Sequence, residues 1–259
     1  MKHYLVSIVS ALCIFMSGCT GYQYVTVPHF VPVNTEKGNL TLNYSFNTFQ
    51  AGYSMSNHFS AFVAGHYRKN SGTIFNNSIF ENVNDGTFSQ TDMHKQIDAG
   101  FTYFKALDSK LVFEVACWTG YGIIKYTNSQ DLFKDYDFSF NAKKFNFNIQ
   151  PNLSVKFNDH VDLSFFSNFS TIRYYKMYGT LDMGEKEDLT EYDRYFYNKR
   201  SVPLAFCEPG IQFRAGWKNI KLLYSYSKAF DLRNTGIQYR KNNFYFGISL
   251  NFNLIKLKD

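Results

Sequence analysis

The chain has 259 residues, a formal net charge of +6 and an aromatic content of 19%, with 28 Phe and 20 Tyr. After the N-terminal segment no apolar run reaches the ~18 residues of a membrane helix, which excludes a helical membrane protein but not one that crosses with strands. The 27 basic residues are interspersed with 21 acidic ones rather than clustered, so no nucleic-acid partner is expected.

Met1 to Cys19, MKHYLVSIVSALCIFMSGC, has a positive Lys2, an apolar stretch from Tyr4 to Phe15 and small residues before Cys19. It reads as a secretory signal and is too short for a membrane anchor. Met16-Ser17-Gly18-Cys19 resembles the bacterial lipobox, with Met where Leu is usual. That resemblance implies a signal peptide over 1–18, cleavage before Cys19 and a diacylglyceryl group on its thiol. Thr20, in place of Asp, implies passage to the outer membrane. Residues 19–38 contain Pro28 and Pro32 without periodicity and are expected to form a periplasmic linker.

From residue 39 onward the chain alternates. Leu40, Leu42, Tyr44 and Phe46 share one face of a first strand, and Phe49, Ala51 and Tyr53 share one face of a second. Further strands are expected over 59–68, 95–104, 111–121, 144–157, 161–175, 204–215, 220–228 and 243–254. The clearest is Lys144 to Phe157, where Phe145, Phe147, Ile149, Pro151, Leu153, Val155 and Phe157 alternate with polar residues. The strand over 161–175 alternates imperfectly, and a bulge is expected near Phe165–Phe166. Short connections at Ser56–His58, Ala106–Lys110, Asn158–His160 and Gly216–Asn219 interleave with long ones over 69–94, 122–143, 176–202 and 229–242.

This rhythm, together with the lipobox, resembles the small lipid-modified β-barrel proteins of Gram-negative outer membranes, which have short periplasmic turns and long extracellular loops. The last strand, with Tyr245, Gly247, Leu250 and Phe252, looks like the signal read by the barrel-insertion machinery. The expected fold is all-β: an antiparallel up-and-down transmembrane barrel over 39–259. Ten strands are expected, because an N-terminus and a first short turn both in the periplasm require residues 39–55 to go up and come back; eight is the alternative count. A soluble sandwich or lipocalin-like barrel also alternates, but its polar face is usually rich in Lys and Glu, and here that face is mostly Asn, Ser, Gly, Gln and Thr.

Polar-face positions Asp98, Glu114, Gln150, Glu208, Gln212 and Arg214 are expected to project into the lumen as an ion-pair and amide network. Cys117 and Cys207 fall on apolar-face positions of distant strands, and no disulfide is expected. No cofactor or metal pattern is present. The omptin proteases place acids and a His at the extracellular mouth; here His66 and His94, with Asp85 and Asp92 between them, form only a loose set. His58-Phe59-Ser60 has the His-x-Ser spacing of lipid A deacylases but sits at an expected periplasmic turn. The loop over 176–202 is the most charged stretch; its Tyr192, Tyr195 and Tyr197 are expected to pack the loop onto the barrel lip or sit in an aromatic girdle, with contact to a ligand or partner as the alternative. The expected role is therefore non-enzymatic: a structural or surface-binding outer-membrane lipoprotein. Its expected partners are outer-membrane lipid and lipopolysaccharide, the barrel-insertion and lipoprotein-sorting machinery, and a surface ligand or envelope protein of unknown identity. A small pore or transport accessory is the alternative, and an outer-membrane hydrolase of omptin or lipid-A-modifying type is the third.

Overall fold

A computed structural model describes residues 36–75, 87–130, 138–181, 202–235, 239 and 241–255; within the first three stretches, side chains are described for 36–69, 93–125 and 141–175. The leader 1–18, Cys19, nearly all of the linker and most of the loop 176–202 lie outside the described residues.

The described chain is a succession of strands: β1 (Asn39–Ser45), β2 (Thr48–Ser54), β3 (Phe59–Phe75), β4 (Thr87–Ala106), β5 (Leu111–Gln130), β6 (Phe138–Lys156), β7 (Val161–Leu181), β8 (Leu204–Gly216), β9 (Ile220–Lys228), β10 (Phe230–Asp231) and β11 (Asn242–Asn253). All pairings are antiparallel, between chain neighbours from β1 to β9, and the ring closes where β9 pairs with β11 and β11 with β1. β10 continues β9 past Ala229 without a change of register, since Ser227 faces Gly210 and Phe230 faces Cys207. The result is a closed up-and-down barrel of ten staves.

The register fixes the shape. A circuit through paired residues starts at Ile220 and passes Leu250, Leu42, Ala51, Val63, Ala99, Thr119, Phe147, Thr171 and Ala205. It returns to the line of β9 at Leu232, whose N–H donates to the Ala205 carbonyl at 2.8 Å, twelve positions beyond its start. Ten strands with that shear tilt by roughly 40°. Each residue then adds about 2.5 Å of height at a rise of ~3.3 Å along the strand.

One end of the barrel is built from tight turns, at 55–58, 107–110, 157–160 and 217–219. These match the four expected short connections to within a residue. Three of them repeat one device. The second turn residue is Ser56, Asp108 or Asn158, and its side-chain oxygen accepts N–H bonds from the backbone two and three residues on, at 2.6–3.2 Å. Such side chains mimic a backbone turn. The Phe46–Asn47 hairpin joins β1 and β2 at the opposite end, so residues 39–55 go up and come back as two strands.

Side-chain alternation is maintained round the ring. On β6, Phe145, Phe147, Ile149 and Leu153 are exposed, whereas Lys144, Asn146, Asn148, Gln150, Asn152 and Ser154 are buried. Two expectations need correction. β7 has no irregularity at Phe165–Phe166. Phe166 points inward because Gly210 on β8 leaves room for its ring; a Cβ at 210 would collide with Phe166 Cζ. The register shift lies higher, where Asn141 faces Tyr178 but Lys143 faces Tyr175, so the extra residue is on β7. Secondly, β3 to β7 continue deep into the segments expected as loops, because backbone pairing persists where the alternation of side-chain character fades.

The carboxyl of Asp108 lies below the usual carboxylate range, held there by the N–H groups of Lys110 and Leu111 and, to a lesser degree, by the Lys110 charge. A depressed folded-state pKa gives stability that is complete above the unfolded value of ~3.9 and is lost as pH falls through the folded value. Asp108→Ala is therefore expected to lower the denaturation midpoint at neutral pH, with the gap from wild type closing below about pH 4. Equilibrium unfolding of both proteins across that range tests this; a gap independent of pH would show that the ionised carboxylate does not hold the turn.

Candidate functional site

The barrel interior gathers the chain's buried charge, in two layers. Nearer the turns, Asp162 on β7 stands between Arg214 on β8 and Lys221 on β9. Arg214 Nε lies 2.6 Å from Oδ1 and Lys221 Nζ lies 2.8 Å from Oδ2. Asp162 and Arg214 are a register pair, so the ladder itself sets their contact. Glu114 on β5 is fully buried close by, and Lys156 on β6 lies within electrostatic reach of Glu114, Asp162, Arg214 and Lys221. Hydrogen bonds extend this layer: Gln150 Nε2 donates to Asn152 Oδ1 at 2.7 Å, and the Ser154 and Ser164 hydroxyls meet at 2.8 Å.

The second layer lies farther from the turns and centres on Asp98. Gln96 Nε2 donates to both of its carboxylate oxygens at 2.8 Å, and Asn146 Nδ2 on β6 donates to Oδ1 at 3.2 Å. β5 runs between β4 and β6, and glycine is required there twice. A Cβ at Gly120 would overlap the Asp98 carboxylate, and one at Gly122 would come within 2.7 Å of Lys144 Cε. These two glycines hollow the wall so that Asp98 and Lys144 lie across it. Lys144 is 1% exposed, with Asp98 and Glu208 as its countercharges. Within electrostatic reach of Lys144 the rings of His66 and His94 sit 5.1 Å apart, and His66 Nδ1 lies 2.9 Å from Thr48 Oγ1. Apolar side chains fill the space between strands, with Phe62 edge-on to Trp118 at 5.9 Å and Trp118 folded over Gly100.

All six residues expected in the lumen (Asp98, Glu114, Gln150, Glu208, Gln212 and Arg214) are buried on the inner face. Their partners include residues that sequence reading passed over as network members: Asp162, Lys144, Gln96 and Asn146, with Lys221 joined through Asp162. The signal was present, since each has inward parity on its strand. The missing quantity was the shear, which decides which inward residue meets which.

The other candidates separate. His66 and His94 do come together, but inside the barrel and buried rather than at an exposed mouth. Asp85 and the Asp92 side chain lie outside the described residues. His58 is in a turn with Nδ1 3.3 Å from the Phe104 carbonyl, while Ser60 points inward and is fully buried. Cys117 and Cys207 are free thiols on β5 and β8. Among the described residues no group of three or more His, Cys, Asp and Glu side chains could hold a metal ion. No family model and no curated protein matches the chain.

The arrangement is one of interlocked side chains bridging the strands, and its most exacting member is Asp162. Asp162→Ala would leave both Arg214 and Lys221 buried without their carboxylate, a loss of about 3–5 kcal/mol. The expected outcome is a large fall in the unfolding midpoint that Arg214→Met, added to Asp162→Ala, partly restores. A double-mutant cycle measured by equilibrium denaturation checks this; full additivity of the two substitutions would contradict the coupling.

Proposed function

We infer that the protein is an integral β-barrel lipoprotein of the bacterial outer membrane. In this reading a lipid on Cys19 holds the N-terminus at the periplasmic side, and the role is structural or surface-binding rather than catalytic, exerted through the loops opposite the tight turns. The observation that carries this reading is the inverted arrangement of side chains. Apolar residues such as Phe101, Phe147, Phe169, Phe213, Leu222 and Phe246 are exposed on the outer face, while Asp, Glu, Lys, Arg, Asn and Gln are buried within. A water-soluble barrel has the opposite polarity, and exposed apolar surface on this scale marks contact with another apolar phase.

Further features support the same reading. Closure leaves no barrel edge over the height at which all ten staves pair, as a bilayer requires. Met55, Leu107, Phe157 and Trp217 open the four turns and are all exposed, as suits an interfacial belt. The crossed charge networks favour a filled lumen over a conducting one, and a ten-stranded barrel belongs with the filled small barrels.

The test is migration on SDS gels with and without heating, on outer membranes carrying wild type and Cys19→Ala side by side. The expected result is a heat-modifiable band in the outer-membrane fraction and altered processing of the variant. Release of the protein in soluble form, without a heat shift, would sink the membrane reading. In planar bilayers the purified protein is expected to give no sustained conductance; regular single-channel steps would instead establish the pore alternative.

A further inference from the structure

The barrel wall is uneven. β1 and β2 are 7 residues each and end at the Phe46–Asn47 turn, about 18 Å above the base, whereas β3 to β7 run 17–21 residues. Where the tall wall rises beside the low hairpin, the outer surface holds a groove of about 640 Å³, lined by Tyr44, Phe46, Phe49, Ile97 and Ile123, with Lys95 on the same lining.

The tall wall also carries a charge pattern of its own. Lys69, Lys95, Lys125, Lys143 and Arg173 all occupy outward positions on β3 to β7. Lys69 and Lys125 flank Met93, Lys95 and Lys143 flank Ile123, and Arg173 pairs with Phe145. Among the described side chains of these five strands no Asp or Glu faces outward; Asp98, Glu114 and Asp162 are all buried inside. Lys69 is ten residues along β3 from Phe59, and Lys125 fourteen along β5 from Leu111. The belt therefore stands about 25–35 Å above the turns. An apolar band of a membrane barrel is ~25 Å tall, which puts these cations at the level of lipid headgroups. Exposed Tyr67 and Tyr121 sit at its lower edge, with Lys95 Nζ 5.3 Å from the centre of the Tyr67 ring.

Like charges on one sheet face repel unless anions lie among them. The belt crosses five adjacent strands, about 19 Å at ~4.8 Å each, which is wide for one phosphodiester and suits a molecule with two phosphates. The geometry points to a lipid site: the outer face of β3 to β7 binds a bis-phosphorylated, multiply acylated glycolipid of the outer leaflet. Its phosphates lie among the five cations and one acyl chain enters the groove beside the β1–β2 hairpin. This rests on the membrane reading above and adds to it a ligand class and a surface.

The experiment uses the full chain folded in detergent micelles, with heat-shifted migration as the folding control. Purified lipid A, its dephosphorylated form and phosphatidylglycerol are titrated separately and adducts are counted by native mass spectrometry. Wild type is expected to bind lipid A in preference to the other two. The triple variant Lys95→Gln, Lys125→Gln, Lys143→Gln is expected to bind at least about tenfold more weakly. Arginine at the same three positions is expected to preserve binding. Equal binding by wild type and the glutamine variant, or phosphatidylglycerol bound as tightly as lipid A, would overturn the site and leave the barrel reading intact. A chain with no heat shift that stays in the aqueous phase would overturn the membrane reading, and this one with it.

Discussion

Closure of the hydrogen-bonded ring is the constraint from which the rest follows. A strand that faces an apolar phase has no water for its backbone groups, so every N–H and C=O must find a neighbour. The chain meets this at the seam, where β11 is gripped by β9 on one side and β1 on the other through nine and seven register pairs. Closure also decides polarity. Once the ring exists, every second residue must point into a narrow space, and that space can hold charge only if the charges satisfy one another.

That second requirement explains the luminal chemistry. Asp162 accepts from two cations at once, and Asp98 accepts three hydrogen bonds from two amides. The large groups need matching absences. Gly100 accommodates Trp118, Gly210 accommodates Phe166, and Gly120 and Gly122 accommodate Asp98 and Lys144. Each of these glycines lies on a strand adjacent to the residue it serves. Volume is thus balanced between neighbouring strands rather than within one, and the interior packs without losing the outward alternation.

This locality of compensation also sets what could be read from the sequence. The face of each residue was legible on β6, where Lys144 to Phe157 alternates without a break, and the turn-and-loop rhythm led to ten strands. The contacts were less so. Parity alone places Arg214 and Glu208 on the same inner face; only the β7–β8 register reveals that Arg214 meets Asp162 while Glu208 stands opposite Asn168. The apparent irregularity at Phe165–Phe166 came from reading an inward aromatic as a fault in the strand, because its explanation, Gly210, is forty-four residues downstream. Strand length was hidden for a different reason. The upper parts of β3 to β7 no longer separate polar from apolar residues in sequence, yet pairing continues, with one register shift between β6 and β7, as far as Phe75 and Leu181.

The loss of alternation at the top of these strands has a physical counterpart. In the membrane reading proposed above, a wall that leaves an apolar phase no longer needs an apolar outer face, and the cations Lys69 and Lys125 would stand near that transition. β1 and β2 end below that level, since their hairpin stops about 18 Å up, within the height at which β4 and β6 still show Ile97 and Phe145 outward. Phe46, 86% exposed at the tip of that hairpin, fits the same view: the residue that ends the low wall is apolar, whereas the outer face of the tall wall becomes basic. The barrel is therefore polarised around its circumference as well as along its axis, and in the membrane reading proposed above the side that carries β3 to β7 is the one that would meet headgroups.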